Sequence, residues 1–241
     1  MRKDYPQWLA EQGYADGTQT AQIYRVKKVE ECYGDLEEHF QKSSYQDVIG
    51  SLQYSTADER QNRPNPSKIQ FHGNIRNNLQ SYKNAAVRYR TFLAGDNFRD
   101  MPTKHQVSLP DENGNDENEK RKFSLERDMQ TTLRQNIKSL DSNLKIIDDG
   151  AERSVDSGFI DITCEDNNSI VVVELKAGKA DSRAIAQILG YMGDLQEEED
   201  CNIRGILVAN DFDKRTKAAA RMVPALELKK YSIEFKFTSE D

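Results

Sequence analysis

Asp161, Glu174 and Lys176 are the residues of this sequence whose types and spacing could do chemistry. They lie within Gly158–Lys176, reading GFIDITCEDNNSIVVVELK, where two apolar-rich runs flank the polar segment Glu165–Ser169. Val171–Val173 are consecutive β-branched residues and Phe159–Thr163 alternates around Asp161, so both runs predict strands. Asn167-Asn168 suits a two-residue turn between them, because Asn tolerates the positive φ of tight hairpins. Counting back from that turn sets Asp166 against Ser169, Cys164 against Val171, and Asp161 against Glu174. Strand side chains alternate faces with period two, and opposed residues share a face. Asp161, Glu174 and Lys176 are therefore expected on one face of one hairpin.

Two carboxylates on one face repel unless a cation sits between them. Hard divalent ions prefer oxygen ligands, and magnesium commonly takes one or two carboxylates plus waters and phosphate oxygens. Such an ion can polarise a phosphodiester, lower the pKa of an attacking water and offset developing negative charge. A lysine two residues on could contact the same water or the scissile phosphate. Phosphodiester hydrolysis is the natural use. Glu-Leu-Lys by itself describes an ordinary solvated strand edge, so the reading rests on Asp161 falling in register.

The elements around the hairpin must position it. Leu125, Met129, Leu133, Ile137 and Leu140 make a helical stripe from Phe123 to about Leu140. Leu144–Ile147 reads as a short strand, residues 181–197 as a helix with Ile185, Leu189 and Met192 inward, and Arg204–Asn210 as a buried strand. Lys214–Met222 follows as a helix and Tyr231–Phe237 as a final alternating strand. Helices and strands interleave around one small sheet, which predicts an α/β domain.

Gly158-Phe-Ile-Asp161, Val-Val-Glu174-Leu-Lys176 and Gln187-x-x-x-Tyr191 together resemble the PD-(D/E)XK nuclease core, most closely the catalytic domain of NucS/EndoMS-type endonucleases. The resemblance runs over about residues 123–237 and implies a restriction-endonuclease-like, mixed-sheet α/β fold. It implies that Asp161 and Glu174 bind magnesium, or manganese in its place, with the Leu175 backbone carbonyl as a further ligand. It makes Lys176 the catalytic lysine and has Gln187 and Tyr191 line the site and contact the nucleic-acid backbone. Glu126, in LERDMQ, matches the acidic residue such nucleases add from their first helix; an ordinary first-turn glutamate is the alternative. Lys179 and Arg183, just beyond the motif, could hold phosphates. Arg153 and Asp156 flank the loop entering the motif, where a surface salt bridge is the default expectation.

The first part of the chain reads as an all-helical N-terminal bundle. Tyr5, Trp8 and Leu9 suggest a short helix ending near Gly13. Further helices are expected from about Thr20 to Tyr33 and around Tyr45–Tyr54. Ile75, Leu79, Tyr82, Ala86, Tyr89 and Leu93 then give a continuous apolar stripe, with Asn74 as N-cap and Gly95 as stop. Arg76, Lys83 and Arg90 are seven apart and form a basic line on another face. Arg60–Gly95 holds seven basic residues and no acidic one, and Asn and Gln are dense among them. That mixture suits phosphate contact, although a merely solvated helix would also carry it. GYADGTQTAQIYRVKKVEECYG and GNIRNNLQSYKNAAVRYRTFL resemble the helical, SAM-like core-binding domain of tyrosine recombinases and phage integrases, which implies a bundle that clasps duplex DNA.

Composition bounds the rest. At 241 residues with 31% charged and 36% hydrophobic residues, two soluble domains with modest cores are expected. The division is a helical DNA-binding domain over 1–95, an acidic linker over 96–122 and a nuclease domain over 123–241. Residues 1–95 carry 13 basic against 11 acidic residues, and residues 123–241 carry 16 against 23. No apolar run approaches the ~20 residues of a membrane span. The N-terminus lacks the apolar segment of a secretion signal, and three scattered cysteines suit a reducing compartment, so a cytoplasmic protein is expected.

The expectation is a magnesium-dependent DNA endonuclease in restriction, mobile-element or repair work, acting on duplex DNA, with a homodimer left open. The alternative is a catalytically inactive DNA-binding or adaptor protein on the same fold. An RNA or branched-DNA substrate stays open. NucS-type enzymes carry a β-rich N-terminal dimerisation domain, so a helical one leaves mismatch specificity and that mode of dimerisation open.

Overall fold

The structure, a computed structural model, describes residues 1–95 and 116–233, with the side chains of 116–124 outside the description. Most of the expected linker, residues 96–115, thus lies outside the described residues.

Residues 1–95 form six helices: α1 (Tyr5–Glu11), α2 (Asp16–Tyr33), α3 (Leu36–Gln41), α4 (Tyr45–Ser51), α5 (Thr56–Arg60) and α6 (Ile75–Ala94). The two shortest, α3 and α5, are additions to the sequence reading, and each is set by its cap. Asp35 accepts from the Glu37 N–H, and Ser55 with Asp58 forms a capping box, satisfying donors that have no partner inside the helix. Asn74 caps α6 by accepting from the Asn77 N–H, and Gly95 ends it at φ 73° in the left-handed region. α6 is the central helix, touching α1 to α5. Its stripe of Leu79, Tyr82, Ala86 and Tyr89 packs with Tyr5, Leu9, Val26, Val29 and Leu36 into one core.

The second part begins with α7 (Asp116–Gln135), which starts inside the expected linker range, and a 3-10 turn at Ile137–Ser139. Seven strands follow among the described residues: β1 (Lys145–Ile146), β2 (Arg153–Val155), β3 (Gly158–Ile160), β4 (Ile162–Glu165), β5 (Ser169–Ala180), β6 (Asn202–Phe212) and β7 (Leu226–Lys230). Helices α8 (Ser182–Glu198) and α9 (Lys214–Ala220) lie before and after β6. The main sheet has the order β1-β4-β5-β6-β7, antiparallel from β1 to β5 and parallel from β5 to β7, and β2 with β3 makes a separate ribbon. This is a mixed-sheet α/β domain behind a helical bundle, the fold class expected. The last strand departs from expectation: Leu226–Lys230 pairs with β6, Tyr231–Ile233 is not strand, and residues 234–237 lie outside the described residues.

One face of the sheet packs on α8 and α9 through Val172, Leu207, Ile188 and Leu195. The other packs on the Leu133–Leu140 segment through Val171, Val173, Leu175 and Ile206. β5, buried along most of its length between these two layers, has the near-continuous apolar run expected of such a strand. Gly205 shows how close the α8 layer lies: a Cβ there would meet Met192 Sδ at 2.7 Å and the Ile188 and Leu226 methyls at 3.1 Å. Gly205→Val is expected to lower stability by roughly 1–3 kcal/mol through overpacking, read as a fall in the urea unfolding midpoint.

Candidate active site

The hairpin has the register counted from the sequence. Cys164 pairs with Val171 and Ile162 with Val173, which brings Asp161 level with Glu174. Neither Asn167 nor Asn168 takes the positive φ expected of the turn; the Asp166 side chain holds it instead, accepting from the N–H groups of Asn168 and Ser169 at 3.0 and 2.8 Å. Asp161 itself sits at a junction. β3 before it pairs with β2, and β4 after it pairs with β1 and β5.

Glu174 shares the α8 face of β5 with Lys176 and is only 1% exposed. Lys176 Nζ donates to its Oε1 at 2.8 Å, while Oε2 is buried with no hydrogen-bond partner. Burial, then the neighbouring Asp161, push the Glu174 carboxyl up to about 8, against the pull of Lys176. Burial works against the Lys176 charge as well, but Glu174 and Asp161 more than offset it, so the ammonium is held. Asp161 Oδ2 accepts from the Leu175 N–H at 2.9 Å. Leu175 thus enters the site through its N–H.

Glu126 reaches the same strand from α7, accepting from the Ala177 N–H at 2.9 Å. That N–H lies where the β5–β6 register shifts, between Lys176 and Lys179, and the Ala177 carbonyl there accepts from the Tyr231 hydroxyl. Among the described residues no group of three or more His, Cys, Asp or Glu is placed to enclose a metal ion. The donor set is instead an open pair of carboxylates with one buried, unpartnered oxygen. That fits magnesium, which keeps waters and takes few protein ligands.

Gln187 and Tyr191 meet as expected from their spacing, with Gln187 Nε2 donating to the Tyr191 hydroxyl at 2.8 Å. Tyr191, however, is 3% exposed, so it supports the site from below and does not reach a nucleic-acid backbone. Its ring lies against Gly158, where a Cβ would come within 3.2 Å of the hydroxyl and where φ is 144°, a conformation open to glycine. Burial raises the phenol well above its ordinary value and keeps it neutral.

The basic line on α6 is corrected. Lys83 is 6% exposed and donates to Glu198 on α8 at 3.1 Å; Arg76 pairs with Glu59 and Glu199. Only Arg90 of the three is exposed, and it donates to Gln46. A central helix has little solvent face, and the acidic end of α8 takes its cations. Arg153 is likewise buried in β2 and pairs with Glu198 and Glu199 at 2.9 and 2.8 Å, instead of lying on a surface loop, whereas Asp156 is exposed. Lys179 and Arg183 are exposed, at the end of β5 and the start of α8.

Sequence reasoning missed the polar residues behind Asp161. Gln130 and Arg134 donate to its carbonyl, each at 2.6 Å, and Asp148 and Glu152 hold those two side chains in turn. Glu126, Gln130 and Arg134 are four apart, so a polar line on α7 was readable as a single helix face.

Residues 125–236 match the family model of the endonuclease NucS C-terminal domain. This part of the chain is NucS-like. Endonuclease NucS of Pyrococcus abyssi is 37% identical over 81 residues, covering 31% of this chain and 32% of the relative. Endonuclease NucS of Pyrococcus furiosus is 33% identical over 98 residues, covering 38% and 36%. The chain therefore spans about a third of the length of these NucS relatives. A crystal structure of a repair endonuclease from Pyrococcus abyssi aligns with a TM-score of 0.39 at 33% identity, covering 43% of this chain and 45% of that one. A structure of an EndoMS–dsDNA complex aligns with a TM-score of 0.40 at 27% identity, covering 45% and 44%.

Two outcomes follow from this geometry. In the metal-free protein the Glu174 carboxyl is expected to titrate near 8 and lower in Asp161→Asn, as read by carboxyl-carbon NMR. Because its folded value lies above the ordinary 4.5, stability relative to Glu174→Gln should fall as pH rises from about 4.5 to about 8. Lys83→Met leaves Glu198 with Arg153 as its remaining cation, and should lower stability by about 1 kcal/mol while leaving DNA affinity unchanged in a binding titration.

Proposed function

We propose that the protein is a magnesium-dependent DNA endonuclease that hydrolyses phosphodiester bonds. The observation that carries this reading is the buried, unpartnered Oε2 of Glu174 opposite Asp161. A buried carboxylate oxygen without a partner is costly, and a cation shared with Asp161 would satisfy it. Asp161 and Glu174 would hold the ion, with the Leu175 carbonyl as a further ligand and manganese able to replace magnesium. When bound, the ion would polarise the phosphodiester and lower the pKa of an attacking water.

The chain's own residues supply the rest. Lys176, kept charged by the two acids, would offset negative charge developing on the phosphate. Glu126 fixes the main chain at Ala177 just beyond the lysine. Gln187, half-buried on α8 and tied to Tyr191, would line the floor. Lys179 and Arg183 would position phosphates of duplex DNA. The names of the relatives, endonucleases and one double-stranded DNA complex, support the same substrate class. Among the described residues no helix is long and apolar enough to cross a membrane.

Asp161→Ala and Lys176→Ala should each lower magnesium-dependent plasmid cleavage by at least ~100-fold, the scale on which such groups act. Affinity for the same DNA, measured without magnesium, should stay within a few-fold. Cleavage by both variants at the parent's rate would remove the assignment.

A further inference from the structure

Asp161 lies where the chain leaves the β2–β3 ribbon for the main sheet, so side chains take over the anchoring of its peptide. Both donors to its carbonyl come from α7 and both are held from behind. Arg134 makes two bonds to Asp148, at 2.6 and 3.0 Å, and Asp148 also accepts from the Thr163 N–H. Gln130 uses one amide nitrogen twice, donating to the Asp161 carbonyl at 2.6 Å and to Glu152 Oε1 at 3.0 Å. That nitrogen carries two protons, one for each acceptor, so a shift of Glu152 draws the amide away from Asp161.

Glu152, 5% exposed, is held in turn by the helical bundle. The Tyr14 hydroxyl donates to its Oε2 at 2.6 Å, and Arg88 Nη2 donates to its carbonyl at 2.8 Å. Arg88 is fully buried and fixed by Gln22 at 2.9 Å and Tyr14 at 3.1 Å. Other contacts hold the two halves together away from Asp161, including Thr56 Oγ1 to the Glu198 carbonyl at 2.8 Å. Adhesion alone has no need of a buried network that ends on the Asp161 peptide.

We infer that Tyr14 and Arg88 are positioning residues for Asp161, acting through Glu152 and Gln130, so that the bundle completes the carboxylate site. The inference rests on the proposed function for the site's role, but its geometric content stands apart from cleavage. Buried polar networks fail as units, since a member that loses its partner reorients toward what remains.

The 241-residue chain with Tyr14→Phe tests this, beside Arg88→Lys, whose ammonium cannot span Gln22, Tyr14 and Glu152 together, and the control Thr56→Val. The Leu175 amide, which donates to Asp161 Oδ2, should exchange its hydrogen several-fold faster in Tyr14→Phe, with urea midpoint and Leu195 exchange little changed. The magnesium concentration giving half-maximal cleavage should rise ~10-fold, the scale of lost outer-sphere partners, at constant KM for DNA. Thr56→Val should move neither. Unchanged Leu175 exchange in Tyr14→Phe, or an equal change in Thr56→Val, would overturn the inference. If Arg88→Lys does not fold, Tyr14→Phe decides. A parent that never cleaves with any divalent ion removes the proposed function instead, and the Leu175 amide still decides this point.

Discussion

Two acidic side chains held level across a buried hairpin raise each other's energy, and the surrounding structure is organised by that fact. Glu174 is shut from water by α8, and Asp161 is held opposite it at the end of the β4–β5 pairing by Gln130 and Arg134 on its carbonyl. Nothing in a hydrophobic layer can solvate the second charge. Lys176 balances part of it from two residues along the strand, and the Leu175 N–H takes up one Asp161 oxygen. Under the proposed function, the remaining oxygen of Glu174 is where a bound cation would gain most.

The hairpin was legible because its logic is local. Period-two alternation acts over a few residues, so counting from a two-residue turn at Asn167-Asn168 recovers the pairing that β4 and β5 show, although Asp166 and not a positive φ at Asn makes the turn. The helix caps at Asn74 and Gly95 were legible for the same reason. What the sequence concealed depends on partners far along the chain. Arg153 looked like a loop residue because its acids, Glu198 and Glu199, lie more than forty positions on. Tyr191 looked like a substrate contact because spacing gives the helix face but not the depth. Lys83 looked solvent-facing because periodicity cannot tell water from a second domain.

The uneven charge of the sequence finds a use inside the molecule. The bundle's cations Arg76, Lys83 and Arg88 meet Glu199, Glu198 and Glu152 of the acidic second half. Basic density that reads as a nucleic-acid footprint is here spent on joining two parts of one chain. Long-range attraction between oppositely charged halves favours their encounter, and the buried members of the set fix the register of docking once they meet. The exposed cations near the site, Lys179 and Arg183, are left facing outward.

Gly158 and Tyr191 are separate letters of the motif that marks this site, yet in space they are one contact. The phenol occupies the room that any side chain at position 158 would need, and the backbone there is in a conformation suited to glycine. Position 158 thus cannot take a side chain while the phenol stays in place. A motif count that credits each with a share of catalysis therefore counts a single steric constraint twice.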